Sequence, residues 1–195
     1  MAKKLGILGG TFDPIHLGHL HLAKCAKDGL NLDKVLFIPA ATSPFKEGKT
    51  LSFADRLTMT AIAVADEPDF EVSAIEALRE GKSYTYDTIL TLKRMYLAWE
   101  IYFLSGADAL DNFARWYNWR GILENCYLAV FSRPGYELKL AQELAEDELA
   151  KEKILLLNTE KELDISSTAL REGRGGEYLP PAVKRYITEH KLYRR

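Results

Sequence analysis

The segment GGTFDPIHLGH, residues 9 to 19, constrains the fold of this 195-residue chain more than any other. It follows the apolar run Leu5 to Leu8, which has the length of a buried strand. It leads into Leu17 to Ala26, where apolar residues recur at helical spacing. Gly9 and Gly10 are expected to let the backbone turn sharply between the two. A strand, a glycine turn and a helix start therefore come in that order. At such a junction the unpaired N–H groups and the positive dipole end of the helix favour an anion, and His16 and His19 would add donors beside it.

Strand-like runs recur at Val35 to Ile38, Ile101 to Leu104, Tyr127 to Phe131 and Ile154 to Leu157, with Phe70 to Val72 as a shorter piece. Helical patterns fall between most of them, near Leu17 to Gly29, Phe53 to Ala65 and Thr85 to Tyr96. That alternation implies an α/β fold with a parallel sheet, and the length makes residues 1–195 one domain by default. The charged stretch Glu143 to Lys153 reads as the solvated face of a helix. Pro180 to Leu192 reads as a closing helix with proline near its first turn. Open α/β sheets bind ligands at the carboxyl ends of their strands. Four such ends carry polar or glycine-rich chemistry: GGTFDPIHLGH, PAATSPFK at 39–46, SGADAL at 105–110 and SRPG at 132–135.

A formal net charge of -2 provides no general basic field, so phosphate recognition must be local and polynucleotide binding is not expected. Cys25 and Cys126 match no zinc or CxxC spacing and sit among apolar neighbours, which predicts buried, reduced thiols. The start MAKK runs straight into the first strand without a signal-peptide pattern, and no apolar stretch reaches membrane-spanning length, which predicts a cytoplasmic protein with no membrane partner. Near the far end, DISSTALR at 164–171 places hydroxyls where a helix should begin, with Ser166 or Ser167 as its cap. Arg171 returns to the face of Ser167 and Thr168, so the three form a candidate anion clamp.

His16-Leu17-Gly18-His19 and the Ile165-to-Arg171 segment resemble the two end motifs of the His-x-Gly-His nucleotidyltransferases, a superfamily of adenylyl- and cytidylyltransferases. SYTYDT at 83–88, GADALDNFARWYNW at 106–119 and SRPGY at 132–136 extend the resemblance to the bacterial nicotinate mononucleotide adenylyltransferases along nearly the whole chain. The resemblance implies a Rossmann-like, doubly wound parallel sheet with helices on both faces. It implies that His16, His19, Lys46 and Arg171 are catalytic. ATP would be bound by Gly9, Gly10, Thr11, Phe12, His16, His19, Gly106, Asp108, Ser167, Thr168 and Arg171. Gly18 would let the nucleotide approach the helix closely. Asp108 would serve the nucleotide sugar region and cap the short helix around it. The mononucleotide would meet Thr11, Lys46, Tyr84, Thr85, Asp108, Trp116, Tyr117 and Arg133, with Trp116 offering a flat face to a pyridine ring. One departure stands out: where the family usually has Pro-His-Lys or Pro-His-Arg, this chain has Pro44-Phe45-Lys46, so Phe45 cannot supply the imidazole.

The implied reaction joins ATP and nicotinate mononucleotide into nicotinate adenine dinucleotide with release of pyrophosphate. Mg²⁺ is expected to arrive with ATP, because no carboxylate cluster of metal-site spacing is evident. Two other readings share parts of the pattern: a phosphopantetheine adenylyltransferase, and a nucleotide-sensing module without catalysis. The preference between acid and amide mononucleotides and the oligomeric state, a homo-oligomer included, stay open at this level.

Overall fold

A computed structural model describes residues 2–42, 50–79, 81–132, 139–158, 163 and 165–193. In chain order its elements are β1 (Lys3–Gly10), α1 (Leu17–Leu30), β2 (Lys34–Pro39), α2 (Phe53–Val64), β3 (Phe70–Val72), α3 (Thr85–Met95) and β4 (Trp99–Gly106). They continue with α4 (Ala107–Leu110), α5 (Trp119–Asn125), β5 (Tyr127–Ser132), α6 (Gln142–Ala145), α7 (Glu148–Lys153), β6 (Ile154–Asn158), α8 (Ser167–Arg171) and α9 (Pro181–Glu189). The strands form one parallel sheet in the order β3-β2-β1-β4-β5-β6. The chain winds outward one way from β1 and then returns to β4 and winds the other way. The crevice between β1 and β4 is therefore the topological switch point of a doubly wound sheet.

Alternation along the strands divides the core between the two faces of the sheet. Leu5 and Ile7 of β1, Leu36 and Ile38 of β2, and Ile101 and Phe103 of β4 pack with Ile89 and Leu92 of α3 and Ile122 and Leu123 of α5. Leu8, Val35, Phe37 and Leu104 face the other way, onto Leu20 and Ala23 of α1, Met59 of α2 and Val183 of α9. The central strands are thus apolar on both sides, as a parallel sheet sandwiched between helices requires.

Helix ends follow local chemistry. The Ser52 hydroxyl accepts from the Asp55 N–H at the start of α2, and Ser166, not Ser167, caps α8 by accepting from the Ala169 N–H. Helix α1 ends with Asn31 at φ +51°, the Leu32 N–H returning to the Lys27 carbonyl and the Asn31 N–H to the Asp28 carbonyl. This is a Schellman closure with asparagine at the left-handed position. The stretch Glu143 to Lys153 is not one helix: it breaks into α6 and α7, because the Asp147 carboxylate accepts from the Ala150 N–H and starts a new turn. Leu144 and Ala150 within it are buried.

Gly9 and Gly10 do not make the turn. They are the last residues of β1, in register with Ile38 and Pro39, and the left-handed residue is Phe12 at φ +50°. Gly10 is small because the Phe12 ring lies against it: a Cβ there would stand 3.0 Å from that ring. Of the two thiols, Cys126 is buried, and its burial pushes its pKa up to about 12. Cys25 is only half-buried, with its sulfur 3.5 Å from Nε2 of His21. Among the described residues no helix is long and apolar enough to cross a membrane.

Phe37 is fully buried and packs its ring against both Phe12 and Phe70, coupling the sheet to the turn after β1. Phe37→Ala is expected to lower unfolding free energy by about 3 to 5 kcal/mol in a denaturant titration, the range for emptying a large aromatic site in a close-packed core.

Candidate active site

Two clefts open at the carboxyl edge of the sheet, and Gly9 lines both. The first lies on the α3 side. Ile7, Ile38, Phe103 and Trp116 give it apolar walls, and Thr11, Glu76, Ser83, Tyr84, Thr85, Thr88 and Tyr117 supply polar groups. Trp116 is fixed edge-on by Phe103, with ring centroids 5.9 Å apart, and tilted against Phe113 at 5.4 Å. Tyr117 is exposed and packs 4.9 Å from the Tyr84 ring, forming the outer rim. Tyr84 is the N-cap of α3 and makes no side-chain cap, so the first-turn N–H groups beginning at Thr85 are not closed off by a hydroxyl or carboxylate from that residue. A flat ring fits between such walls, and an anionic substituent on it is suited to the start of an 11-residue helix.

The second cleft lies on the α1 side at the switch point. Its walls come from Leu8 and Gly9, from His16, Gly18, His19 and His21, from Ser105 to Asp108 after β4, and from Phe131, Ser132, Leu163 and Ile165. Helix α1 has no acidic residue in its first turn, so nothing there competes with an incoming anion. The His16 N–H donates to Nδ1 of His19 at 3.2 Å, and the two rings stack at 3.7 Å. Accepting at Nδ1 places the proton of a neutral His19 on Nε2, which makes that nitrogen a donor.

His16 is 5% exposed, and among the described residues its Nδ1 has no hydrogen-bond partner. Burial lowers its pKa from 6.5 to about 4, so it is neutral at physiological pH and acts as a hydrogen-bonding group without a positive charge. What it offers is an unsatisfied polar atom. A Cβ on Gly18 would stand 3.0 Å from that atom and 3.2 Å from Ile165, so glycine here keeps the space over the imidazole open. The crowding that excludes a side chain comes first from the protein's own histidine and not from a nucleotide.

The other expected residues are distributed unevenly. Thr11, Tyr84, Thr85, Trp116 and Tyr117 meet in the first cleft, and His16, His19, Gly106 and Asp108 in the second. Asp108 does not reach the first cleft and is not a cap: Gly106 takes the cap position of α4 and Asp108 falls in its first turn. Phe12 is 2% exposed with its ring against His19, so only its main chain is available to a ligand. Ser167, Thr168 and Arg171 line neither of these clefts. The Arg171 guanidinium donates to the Asp13 carbonyl at 2.8 Å and to the Thr168 hydroxyl at 3.0 Å, and the Ser167 hydroxyl donates to the Pro14 carbonyl at 2.9 Å. They brace the turn before His16 from behind, because its carbonyls need donors once removed from water. Lys46, Phe45 and Arg133 lie outside the described residues.

Sequence reasoning missed Arg56 and Glu76. Arg56, on α2, is 3% exposed and donates to the carbonyls of Thr11 at 2.7 Å, Leu51 at 3.2 Å and Ala41 at 3.4 Å. Its position three residues before buried Met59 was the available signal, since it puts an arginine on the core face of the helix. Glu76 is 8% exposed, accepts from the Thr88 hydroxyl at 2.8 Å, and contributes to the wall of the first cleft. No sequence pattern marked it.

Residues 7–173 match the cytidylyltransferase-like family, and the chain belongs to that family. It is 44% identical over 202 aligned residues, covering 100% of this chain and 99% of the relative, to the probable nicotinate-nucleotide adenylyltransferase of Dehalococcoides mccartyi strain CBDB1. It is 36% identical over 197 residues, covering 99% and 100%, to the protein of the same name from Neisseria meningitidis serogroup C strain 053442. Among solved structures it resembles the Plasmodium falciparum nicotinic acid mononucleotide adenylyltransferase complexed with NaAD, with a TM-score of 0.78, 20% identity, and coverage of 98% of this chain and 97% of that one. That last likeness is one of fold.

The buried, neutral state of His16 sets a pH dependence. Its contribution to stability is complete above pH 6.5, where the unfolded chain is also neutral, and is lost as pH falls toward 4, where only the unfolded chain takes up the proton. Across that window the protein is expected to lose up to about 3 kcal/mol more stability than His16→Gln, at about 1.4 kcal/mol per pKa unit. Urea denaturation at several pH values measures this, and parallel curves for the two proteins would show that His16 titrates normally in the fold.

Proposed function

We propose that this member of the cytidylyltransferase-like family transfers the adenylyl group of ATP to nicotinate mononucleotide, forming nicotinate adenine dinucleotide and pyrophosphate as a step in NAD biosynthesis. One observation carries the reading: an aromatic-walled cleft and a histidine-lined cleft lie on opposite faces of one sheet and share Gly9 at its carboxyl edge. A pyridine mononucleotide in the first and ATP in the second bring their phosphates together above that residue. Full-length relatives at 36% and 44% identity carry the name of this activity.

In the first cleft Trp116 stacks on the pyridine ring, a contact contributing about 0.5 to 1.5 kcal/mol beyond area burial. The ring's carboxylate is received by backbone N–H groups near Thr85 and Tyr117, and Arg133 serves the phosphoribosyl part. In the second cleft His19 donates through Nε2, and His16 donates through Nδ1, which no described residue satisfies. Gly106 and Asp108 meet the sugar region of ATP. Lys46 supplies positive charge to the phosphates. Ser167, Thr168 and Arg171 act by holding the turn and by the charge of Arg171 behind it.

The phosphate monoester of the mononucleotide has a second pKa of about 6 and is mostly dianionic at neutral pH, so the nucleophile needs no general base. One of its oxygens attacks the α-phosphorus of ATP in line, and the bond from that phosphorus to the β-phosphate oxygen breaks. The barrier is repulsion between polyanions: one charge pair at about 4 Å amounts to roughly 4 kcal/mol at an effective dielectric near 20. With His16 neutral, relief comes from preorganised N–H donors, the start of α1, Lys46 and the metal that accompanies ATP. Mg²⁺ would come carried on the triphosphate of ATP, since this ion usually relies on substrate phosphates.

Purified protein given ATP, Mg²⁺ and nicotinate mononucleotide is expected to release pyrophosphate. Absence of the dinucleotide product under those conditions would end this reading. His19→Ala is expected to lower kcat by about 100-fold or more while the melting temperature moves only a few degrees. Trp116→Ala is expected to raise KM for the mononucleotide selectively, and an equal rise for ATP would refute stacking at this residue.

A further inference from the structure

We propose that Tyr193, acting through the buried Asp13 carboxylate, positions the histidine turn for adenylyl transfer, so that the end of the chain is a working part of the site. The inference rests on the reaction proposed above. Its structural basis is independent of it.

Asp13 is 1% exposed. A carboxylate so deep is costly unless it is hydrogen-bonded and faces a counter-charge. Its Oδ1 accepts from the Tyr193 hydroxyl at 2.6 Å, across 180 residues of sequence. The positive charge of Arg56 acts on the same carboxylate while its guanidinium holds the Thr11 carbonyl. The Asp13 and Pro14 carbonyls are taken by Arg171 and Ser167. Every one of these donors approaches from outside the two clefts. Three of the four carbonyl groups from Thr11 to Pro14, which would otherwise repel phosphate, are thereby taken by donors of the protein, and His16 follows two residues later.

The route by which Tyr193 reaches Asp13 is built into the end of α9. The Leu192 N–H returns to the Ile187 carbonyl and the Lys191 N–H to the Thr188 carbonyl, with Lys191 at φ +53°. This Schellman closure reverses the chain, and Leu192 and Ile187 both pack on the α1 side of the core. The reversal is local and the contact it creates is not. Burial and the neighbouring Asp13 both raise the Tyr193 pKa, so the hydroxyl stays protonated and remains a donor.

Tyr193→Phe keeps the ring and removes the hydroxyl alone, and Asp13→Asn keeps an acceptor for it. The expected result for Tyr193→Phe at 25 °C, well below its melting point, is a kcat lowered about tenfold with KM for the mononucleotide within twofold, as misplacement of catalytic groups produces. The His16 and His19 imidazole NMR signals should move in the same variant without substrate, and Asp13→Asn should retain more activity than Asp13→Ala. A folded Tyr193→Phe with wild-type kcat and unshifted imidazole signals, only melting lower, would overturn the proposal. If wild-type protein itself fails to make the dinucleotide, the reaction is wrong, and the imidazole signals alone then decide whether Tyr193 positions the turn.

Discussion

Much of this structure depends on satisfying a short stretch of main chain that leaves the sheet and enters α1 with no secondary structure of its own. Residues Thr11 to Ile15 carry a left-handed phenylalanine, an aspartate and a proline, and Phe12 through Ile15 are buried. Backbone groups removed from water need partners. Here the Thr11, Asp13 and Pro14 carbonyls are met by Arg56 of α2 and by Arg171 and Ser167 of α8, and the buried Asp13 carboxylate by Tyr193 beyond α9, so elements far apart in sequence are bound to one turn. The sheet supplies the edge on which that turn sits, and the aromatic contacts of Phe12 with Phe37 and His19 tie it to the core on one side and to the site on the other.

The histidine site works by donors held in place more than by charge. Burial strips a protonated imidazole of its hydration, and the low pKa of His16 records that. The His19 tautomer follows from a main-chain N–H three residues earlier. The described residues thus offer oriented N–H donors suited to an anion, with Arg171 behind the turn.

Much of the architecture was legible in the amino-acid order because it rests on local periodicity. Runs such as Val35 to Ile38 and Tyr127 to Phe131 are apolar on both faces and can only be central strands, and the helices between them carry one apolar stripe. The aromatic cleft was also accessible, through the family resemblance of the stretches SYTYDT and GADALDNFARWYNW that carry Tyr84, Thr85, Trp116 and Tyr117. What could not be read was whatever depends on how side chains pack in three dimensions. Gly10 is small on account of Phe12, Gly18 on account of His16 and Ile165, and Arg171 faces a carbonyl more than 150 residues away. The charge state of His16 belongs to the same class: its burial is a property of the packed molecule and not of the four-residue motif around it.

The placement of the two clefts has a kinetic consequence. Among the described residues they share only Gly9, and each has its own mouth on its own face of the sheet. In the reaction proposed above, neither substrate would have to pass through the other's chamber on the way in, so the two clefts would impose no obligatory order of addition. The product would be different in kind: once joined it would span both chambers, straddling the rim of the sheet, and depart only when both halves had let go.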